Sequence, residues 1–262
     1  MATEGSKTIV LVTGANRGIG FEIVKALLKS SPSKSCESGG PYHVYLGARD
    51  TEKGKKAAAS LIPEHNNSVS AIQIDTSSTE SIASAVSSVK SDAGRIDVLI
   101  NNAGIIYEEK DRITNLRTTL EVNVTATYAV SEAFRQLLLT RPAKGEKVKR
   151  IINVSSDLGS IAWRCDQSNK NYQVPNSEYR ISKAALNMMT ACQSYELKEH
   201  GVKVFAFNPG YTITELYGPV ELRRQQGAWE ADVPGKGCAK IVAGERDHEV
   251  GQMIEVDGVV PW

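Results

Sequence analysis

The chain has 262 residues, in which 31 lysines and arginines are balanced by 30 aspartates and glutamates. This length suits one large α/β domain, and a hydrophobic fraction of 41% is ordinary for a globular protein, which excludes disordered and fibrous classes. The balanced charge argues against nucleic-acid and membrane-surface partners, and no apolar run approaches the ~20 residues of a membrane span.

Short apolar or β-branched runs alternate with longer helical patterns along the chain. Strands are predicted at residues 9–13, 43–46, 69–74, 96–100, 151–154 and 202–207, and helices at 21–30, 51–61, 79–93, 115–139 and 177–200. This alternation is typical of a parallel sheet covered by helices on both faces, so we expect an α/β, doubly wound fold with about seven strands.

Three segments interrupt this rhythm. Residues 31–41 are rich in Ser, Gly and Pro and are predicted to form a surface loop, and residues 157–176 form a second irregular stretch. The basic stretch 141–150 is interpreted as a solvated loop. We find no internal repeat and no long linker, so residues 1–262 are predicted to form a single domain.

Residues 13–20 read TGANRGIG and stand between a predicted strand and a predicted helix. Gly14 permits a sharp turn, Gly18 allows the backbone to approach a pyrophosphate, and Gly20 allows close packing of helix on strand. The helix N-terminus that follows offers N–H groups and a positive dipole end to phosphates. Three glycines alone would be equally compatible with a structural turn, but the strand–loop–helix context favours a dinucleotide site.

The end of the second strand predicts which dinucleotide binds. An NAD site places an acidic residue there to accept from the ribose 2′-hydroxyl, whereas this strand ends Leu-Gly-Ala-Arg at Arg49. Arg17 in the glycine loop supplies a second guanidinium on the same side. Two arginines favour the 2′-phosphate of NADP(H), although each taken alone could be a solvated surface residue.

Tyr179 and Lys183 stand four residues apart in a helical stretch and therefore share a helix face. A neighbouring ammonium favours the phenolate and lowers the pKa of a tyrosine, which suits acid–base work near neutral pH. The motif is common by chance, so its value depends on its companions. These are the NVSS run that ends in Ser156, the NNAG run 101–104, and Asn123 inside a predicted helix, where an amide is neutral to unfavourable.

These motifs occur in an order that resembles the short-chain dehydrogenase/reductase family across nearly the whole chain. The matching segments are TGANRGIG, NNAG, the VN of EVNVTAT, NVSS, YRISK and the Asn-Pro-Gly turn 208–210. The resemblance implies a Rossmann-like fold and an NADP(H)-preferring carbonyl-reductase-like member, and the tail 251–262 also resembles those of fungal reductases.

The resemblance also implies the site residues. The catalytic set would be Asn123, Ser156, Tyr179 and Lys183, with Ser156 taking the role rather than Ser155. The cofactor would be held by Gly14, Asn16, Arg17, Gly18, Ile19, Gly20, Arg49, Asp75, Asn102, Ala103, Gly104, Tyr179, Lys183, Pro209, Gly210, Thr212 and Thr214. The stretch 157–176 would form a lip over the substrate pocket, and residues around 211–235 would form a mobile substrate lid.

The implied reaction is NADPH-dependent reduction of a ketone or aldehyde to an alcohol, or the reverse oxidation, with Tyr179 as general acid or base. Ser156 would hold the substrate oxygen, Lys183 would bind the nicotinamide ribose, and Asn123 would fix a local helix distortion and a water. Two alternatives stay open: a repurposed NADP(H)-binding enzyme that catalyses dehydration, isomerisation or ring formation, and a non-catalytic binding protein on the same fold. The resemblance favours a homodimer or homotetramer built on the helices that contain Asn123 and Tyr179, although monomers are also compatible.

The remaining reactive side chains carry no second site. Four widely spaced cysteines form no C-x-x-C pair, and the polar N-terminus has no secretory pattern, so we expect reduced thiols and a cytoplasmic protein. The four histidines are scattered without Cys, Asp or Glu at ligand spacing, and no metal is expected.

Overall fold

Eight strands form one sheet in the computed structural model, counted over the residues that it describes, which are 7–31, 41–140, 147–216 and 219–262. The strands run β1 Thr8–Val12, β2 Tyr42–Ala48, β3 Ser68–Gln73, β4 Val98–Asn101, β5 Lys149–Val154, β6 Val202–Phe207, β7 Met253–Glu255 and β8 Gly258–Val260. Their order across the sheet is β3-β2-β1-β4-β5-β6-β7-β8. The order reverses direction at β1, which is where doubly wound sheets bind ligands.

The predicted doubly wound parallel sheet is confirmed, with one strand more than expected. β1 to β7 pair in parallel, whereas β8 pairs antiparallel to β7. The tail, residues 251–262, therefore contains a β-hairpin formed by β7 and β8. Gly258 begins β8 with a φ of +122°, a backbone conformation that favours glycine.

Nine α-helices, counted within the described ranges, connect and cover the strands. They are α1 Gly18–Lys29, α2 Thr51–Ala59, α3 Thr79–Asp92, α4 Arg112–Leu120, α5 Ala126–Leu139, α6 Ile161–Cys165, α7 Ser177–Leu197, α8 Val220–Gln225 and α9 Asp232–Ala243. The predicted helix 115–139 is divided by a five-residue π-helical segment, Glu121–Thr125. Of the predicted helix 177–200, residues 177–197 form α7, and the last three residues form a 3₁₀ turn.

Helix α9 was not expected from the sequence, because it contains Pro234, Gly235 and Gly237. Pro234 falls in the first turn, where a missing N–H costs no helical hydrogen bond. A Cβ on Gly235 would lie 2.8 Å from the carbonyl carbon of Glu22, so this glycine allows α9 to cross closely over α1. Packing between distant segments therefore outweighs the low helix propensity here.

The sheet has a separate apolar core on each face. Alternate residues of β1 serve both cores: Val10 and Val12 pack with the α1 and α9 side, and Leu11 packs with the α5 side. Because both faces are covered, the central strands are apolar throughout rather than alternating.

The interpretation of residues 141–150 as a solvated loop is wrong at its end, and 141–146 lie outside the described residues. Lys149 and Arg150 are buried in β5, at 7% and 1% exposure. Lys149 Nζ donates to Asp97 Oδ1 at 2.7 Å, and Arg150 Nη2 donates to Asp247 Oδ2 at 2.6 Å. Each cation has a carboxylate partner, which is the condition under which such side chains are buried.

Two buried asparagines link neighbouring strands at the centre of the sheet. Asn101 Nδ2 on β4 donates to Asn153 Oδ1 on β5 at 2.9 Å and to Ser131 Oγ on α5 at 3.0 Å. Asn153 Nδ2 donates in turn to Thr190 Oγ1 and Gln193 Oε1 on α7, at 2.9 and 3.0 Å. This chain of polar contacts joins two strands to the two helices that pack on one face.

Candidate active site

The glycine loop between β1 and α1 is tied to the end of β4. Thr13 Oγ1 accepts from the backbone N–H of Asn102 and Ala103 at 3.0 and 3.1 Å, and Asn102 Nδ2 donates to the Thr13 carbonyl at 2.9 Å. Gly14 and Gly18 have φ values of +62° and +58°, which favour glycine. A Cβ on Gly20 would lie 2.7 Å from the Gly14 carbonyl oxygen, so the loop folds tightly over the start of α1.

A cleft of about 690 Å³ opens beside this loop at the carboxyl ends of the strands. Most of the predicted cofactor residues line it, namely Gly14, Asn16, Arg17, Gly18, Ile19, Arg49, Asp75, Asn102, Ala103, Gly104, Tyr179, Lys183, Pro209 and Thr214. Gly20, Gly210 and Thr212 are not among the residues that line it. Lys53, Thr76 and Ser77 also line the cleft, and no sequence motif indicated them.

The two arginines predicted to bind a 2′-phosphate both border the cleft, and Arg17 has a partner that was not expected. Arg17 Nη1 forms an ion pair with Glu215, which comes from the start of the predicted lid. Both side chains are about two-thirds exposed, so the pair is held weakly. Asp75 is fixed by Ser77, whose hydroxyl donates to Asp75 Oδ1 at 2.7 Å and helps to lower the pKa of that carboxyl, against the opposing effect of burial.

Tyr179 and Lys183 are buried on one face of α7 beside the end of β5. Lys183 Nζ lies 5.6 Å from the centre of the Tyr179 ring and donates to the Val154 carbonyl at 2.9 Å. Burial lowers the pKa of Lys183 to about 8. Burial also raises the pKa of Tyr179, while a hydrogen bond with Ser156 opposes this shift and the Asp157 carboxylate adds to it. The net direction for the pKa of Tyr179 is upward, opposite to the lowering expected from Lys183, so the protonated phenol is favoured.

The two serines at the end of β5 differ in their partners. The Ser155 hydroxyl donates to Asn187 Oδ1 at 2.5 Å and is therefore engaged inside the protein. Ser156 Oγ accepts from the Leu158 N–H at 3.2 Å and lies 3.3 Å from Asp157 Oδ1. Ser155 contributes atoms to the wall of the cleft, whereas a hydrogen bond with Ser156 acts to lower the pKa of Tyr179. This difference supports the choice of Ser156.

Asn123 sits in the π-helical segment and holds three parts of the chain together. Its amide Nδ2 donates to the Ile105 carbonyl and to Ser182 Oγ at 2.9 and 3.0 Å, and its Oδ1 accepts from the Ile105 N–H at 2.8 Å. A Cβ on Gly104 would lie 3.1 Å from Asn123 Oδ1 and 3.7 Å from Lys183 Nζ. The structure thus brings all four predicted catalytic residues to one end of the sheet.

The segment 209–214 after β6 is held by residues of the predicted lid. Trp229 pairs through its backbone with Tyr211 and Ile213, at 2.8 Å each, and its ring packs on Gly210. Arg223 on α8 donates to the Thr214 carbonyl at 2.9 Å and also to the Thr212 carbonyl. Trp229 therefore packs on the loop after β6, and Arg223 is a supporting residue that the sequence did not indicate.

The irregular stretch 157–176, which we call the lip, is anchored by Arg180 on α7. The Arg180 guanidinium donates to backbone carbonyls of the lip, which belong to Leu158, Asn171, Val174 and Pro175. Arg180 is only 7% exposed, although it directly follows Tyr179. The lip is thus attached to the same helix that carries the phenol.

The parallel sheet with its reversal point and glycine loop is typical of α/β proteins that bind dinucleotides at the carboxyl ends of the strands. A family model described as short chain dehydrogenase matches residues 8–225. The chain belongs to this family of oxidoreductases, whose members use nicotinamide cofactors and act on small molecules.

Relatives with known names match the chain over its length. It is 33% identical to the short-chain dehydrogenase/reductase eupG of a Phoma species, with 100% of both chains covered, and 32% identical to tropE of Talaromyces stipitatus, with 97% of both covered. Among solved structures, NADPH-bound carbonyl reductase from chicken fatty liver superposes with a TM-score of 0.79 at 29% identity, covering 98% of this chain and 100% of the other.

The described part of the chain contains neither a candidate membrane span nor a candidate metal site. None of its helices is long and apolar enough to cross a membrane. No group of three or more His, Cys, Asp or Glu side chains within it could hold a metal ion.

Proposed function

We propose that the protein catalyses the NADPH-dependent reduction of a ketone or aldehyde to an alcohol, or the reverse oxidation, with Tyr179 as general acid or base. The observation that carries this proposal is the convergence of Asn123, Ser156, Tyr179 and Lys183 beside a cleft that begins at the glycine loop. The cleft fits a dinucleotide, because its glycines leave room for close backbone approach and α1 begins at its wall.

Each of the four side chains has a task that follows from its contacts. The raised pKa of Tyr179 keeps the phenol protonated, so that it can give a proton to the oxygen of a carbonyl under reduction. Ser156 donates a hydrogen bond to the same oxygen as negative charge develops on it. Lys183, held at the Val154 carbonyl, places a positive charge beside the phenol and stabilises its anion once the proton has left.

Asn123 acts by positioning, since its amide fixes the chain after β4 against α7. When bound, NADPH supplies the hydride, and the protein supplies orientation and electrostatics. The presence of all four residues of the catalytic set favours oxidoreduction over the dehydration, isomerisation or ring formation that a repurposed family member would catalyse. It also argues against a purely non-catalytic binding role.

We propose that NADP(H) is preferred to NAD(H). Arg17 and Arg49 border the cleft, and Ala48 stands where an NAD site would carry an acid. Chicken carbonyl reductase, whose structure contains NADPH, supports the same choice. The Glu215 carboxylate competes with a 2′-phosphate for Arg17, so it weakens this preference.

Replacing Arg49 with Ala is expected to weaken NADPH binding about tenfold or more while NADH binding changes little, because the guanidinium serves only the 2′-phosphate. Glu215→Gln is expected to strengthen NADPH binding, because Arg17 would no longer be paired with a competing carboxylate. Calorimetric titration with both cofactors measures these effects, and Arg135→Ala on α5, away from the cleft, is the matched control. An equal loss of NADH and NADPH binding in Arg49→Ala would contradict the 2′-phosphate role.

The single-domain organisation remains part of the proposal. So does the lid function of residues 211–235, which is supported by the contacts of Arg223 and Trp229 with the segment 209–214.

A cytoplasmic location is proposed from the cysteines. Cys165, Cys192 and Cys238 carry free thiols, and Cys36 lies outside the described residues.

We propose that the chain forms a homodimer through α7 and its neighbours. Ile181, Met188 and Tyr195 recur every seven residues on α7 and are 48%, 66% and 84% exposed. Side chains at this spacing form one apolar stripe on a helix, and a stripe of this kind marks an interaction surface. Ile113 on α4 and Tyr128 on α5 are also exposed. They add apolar surface on the face of the sheet that α7 covers.

Met188→Glu is expected to shift the protein toward monomer, because the carboxylate would be buried without a partner in the dimer. Sedimentation velocity measures the change. Ile62→Glu is the matched control, since Ile62 is 78% exposed and lies outside the stripe. A wild-type protein that sediments as a monomer at micromolar concentration would refute the dimer.

A further inference from the structure

Asp157 places a carboxylate beside the hydroxyl of Ser156, the residue proposed to hold the substrate oxygen. Its Oδ1 lies 3.3 Å from Ser156 Oγ, and its charge acts on the Tyr179 phenol. The residue is half-buried. No ion pair to Asp157 is found within the part of the chain that the structure describes, so its oxygens depend on neutral donors.

The carboxylate is held in this position by its neighbours. Asn171 Nδ2 donates to Asp157 Oδ2 at 2.7 Å, and the Asp157 N–H donates to Asn208 Oδ1 at 3.1 Å. Arg180 fixes the lip by donating to backbone carbonyls near its two ends, those of Leu158 and Val174. Turning the carboxylate toward bulk water would break its hydrogen bonds with Asn171 and Ser156.

The hydrogen bonds around Ser156 cannot all be kept when a carbonyl binds. A serine hydroxyl has one proton, and donating it to the substrate oxygen withdraws it from Asp157 Oδ1. A partly buried carboxylate oxygen that loses a donor destabilises the complex unless another donor replaces it. The substrate is the group that enters at this point, so it is the natural source of that donor.

A neutral donor fits better than a cation. The Arg180 guanidinium on α7 already interacts electrostatically with Asp157, and Arg164 in the lip lies near Arg180. The Lys183 ammonium adds a further positive charge, 5.6 Å from the centre of the Tyr179 ring. A hydroxyl satisfies Asp157 with a short charge-assisted hydrogen bond and brings no further charge.

We infer that the substrate carries a hydroxyl group on the carbon next to the reacting carbonyl, and that Asp157 recognises it. This inference rests on the proposed reductase function. Two oxygens on adjacent carbons are separated by roughly one hydrogen-bond length, which matches the spacing of Ser156 Oγ and Asp157 Oδ1. Ser156 holds the carbonyl oxygen, and Asp157 accepts from the hydroxyl.

The test compares α-hydroxyacetophenone with propiophenone, in which a methyl group replaces the hydroxyl. The wild type is expected to have a kcat/KM about tenfold or more higher for the hydroxyketone, since hydrogen bonds to charged groups are of this strength. In Asp157→Ala the ratio of the two kcat/KM values is expected to fall to about one, with Asp157→Asn between the two. Any effect of Asp157 on the Tyr179 proton alters both ketones equally and cancels in this ratio.

Asp166→Ala is the matched control, because Asp166 is an exposed carboxylate in the same lip whose contacts are with Ser168. Its ratio should equal that of the wild type. An unchanged ratio in Asp157→Ala, or a wild type that prefers propiophenone, overturns the inference. Retained turnover of propiophenone shows that the variants are folded, and the isosteric Asn variant serves if the Ala variant is not.

Ligand-observed NMR titration of the NADPH-loaded protein separates this inference from the reductase proposal, because it needs no turnover. Tighter binding of the hydroxyketone to the wild type, lost in Asp157→Ala, supports the inference even if neither ketone is reduced. In that case only the reductase proposal fails for these substrates. Equal affinities of both ketones for the wild type overturn the inference whether or not either is reduced.

Discussion

Tyr179→Phe is expected to lower kcat for carbonyl reduction by about 10²- to 10⁴-fold, the range associated with a positioned general acid. The ring remains, so packing on α7 is preserved, and only the proton donor is lost. NADPH affinity is expected to change by no more than a few-fold, because the phosphate-binding glycine loop is untouched. Stopped-flow measurement of NADPH oxidation under single-turnover conditions reports the effect on the chemical step.

Tyr128→Phe on α5 is the matched control, since it removes a phenol that is 45% exposed and lies outside the cleft. It should have wild-type kcat. If Tyr179→Phe kept near-normal turnover with cofactor bound, another group would have to protonate the substrate oxygen, and the mechanism proposed above would be wrong.

Asp97→Ala is expected to lower the free energy of unfolding by about 3–5 kcal/mol, the cost of breaking a buried ion pair by removal of one partner. Asp97 is fully buried and accepts from Lys149 Nζ at 2.7 Å, from Arg95 Nε at 3.2 Å and from the Ile9 N–H at 2.8 Å. Without the carboxylate, the Lys149 ammonium stays buried and keeps the Ile96 carbonyl, at 2.9 Å, as its acceptor.

Equilibrium unfolding in urea measures this loss, provided that the wild type unfolds reversibly in one step. Glu52→Ala breaks the exposed ion pair with Lys55 and is the matched control, with little change expected. A loss in Asp97→Ala no greater than in this control would show that the buried cluster contributes nothing net to stability.

The fold could be predicted from the sequence because its signals are local. Each parallel strand is a short apolar run, and each long helix repeats with its own period, so alternation alone indicated a doubly wound sheet. The glycine loop could also be predicted, because its turn needs positive φ values at Gly14 and Gly18, which favour glycine. Tyr179 and Lys183 were readable because helix geometry places them on one face.

What could not be predicted depends on contacts between distant segments. Helix α9 forms because Gly235 meets α1 about two hundred residues earlier in the chain. Lys149 and Arg150 resembled solvated residues because their partners, Asp97 and Asp247, are remote in sequence. The supporting roles of Arg180 and Arg223 also had no local signal, since both donate to backbone carbonyls, which every residue possesses.

The chain of amides and hydroxyls from Ser131 through Asn101 and Asn153 to Gln193 constrains how this protein can change during evolution. Substituting an apolar residue at Asn153 alone leaves groups on β4 and α7 without partners, whereas exchanging all of them together removes the need for the network. Neutral drift at these positions therefore requires coordinated substitutions, and the intermediate sequences would be less fit. Descendants of the same ancestor should retain the whole set or have lost it as a block.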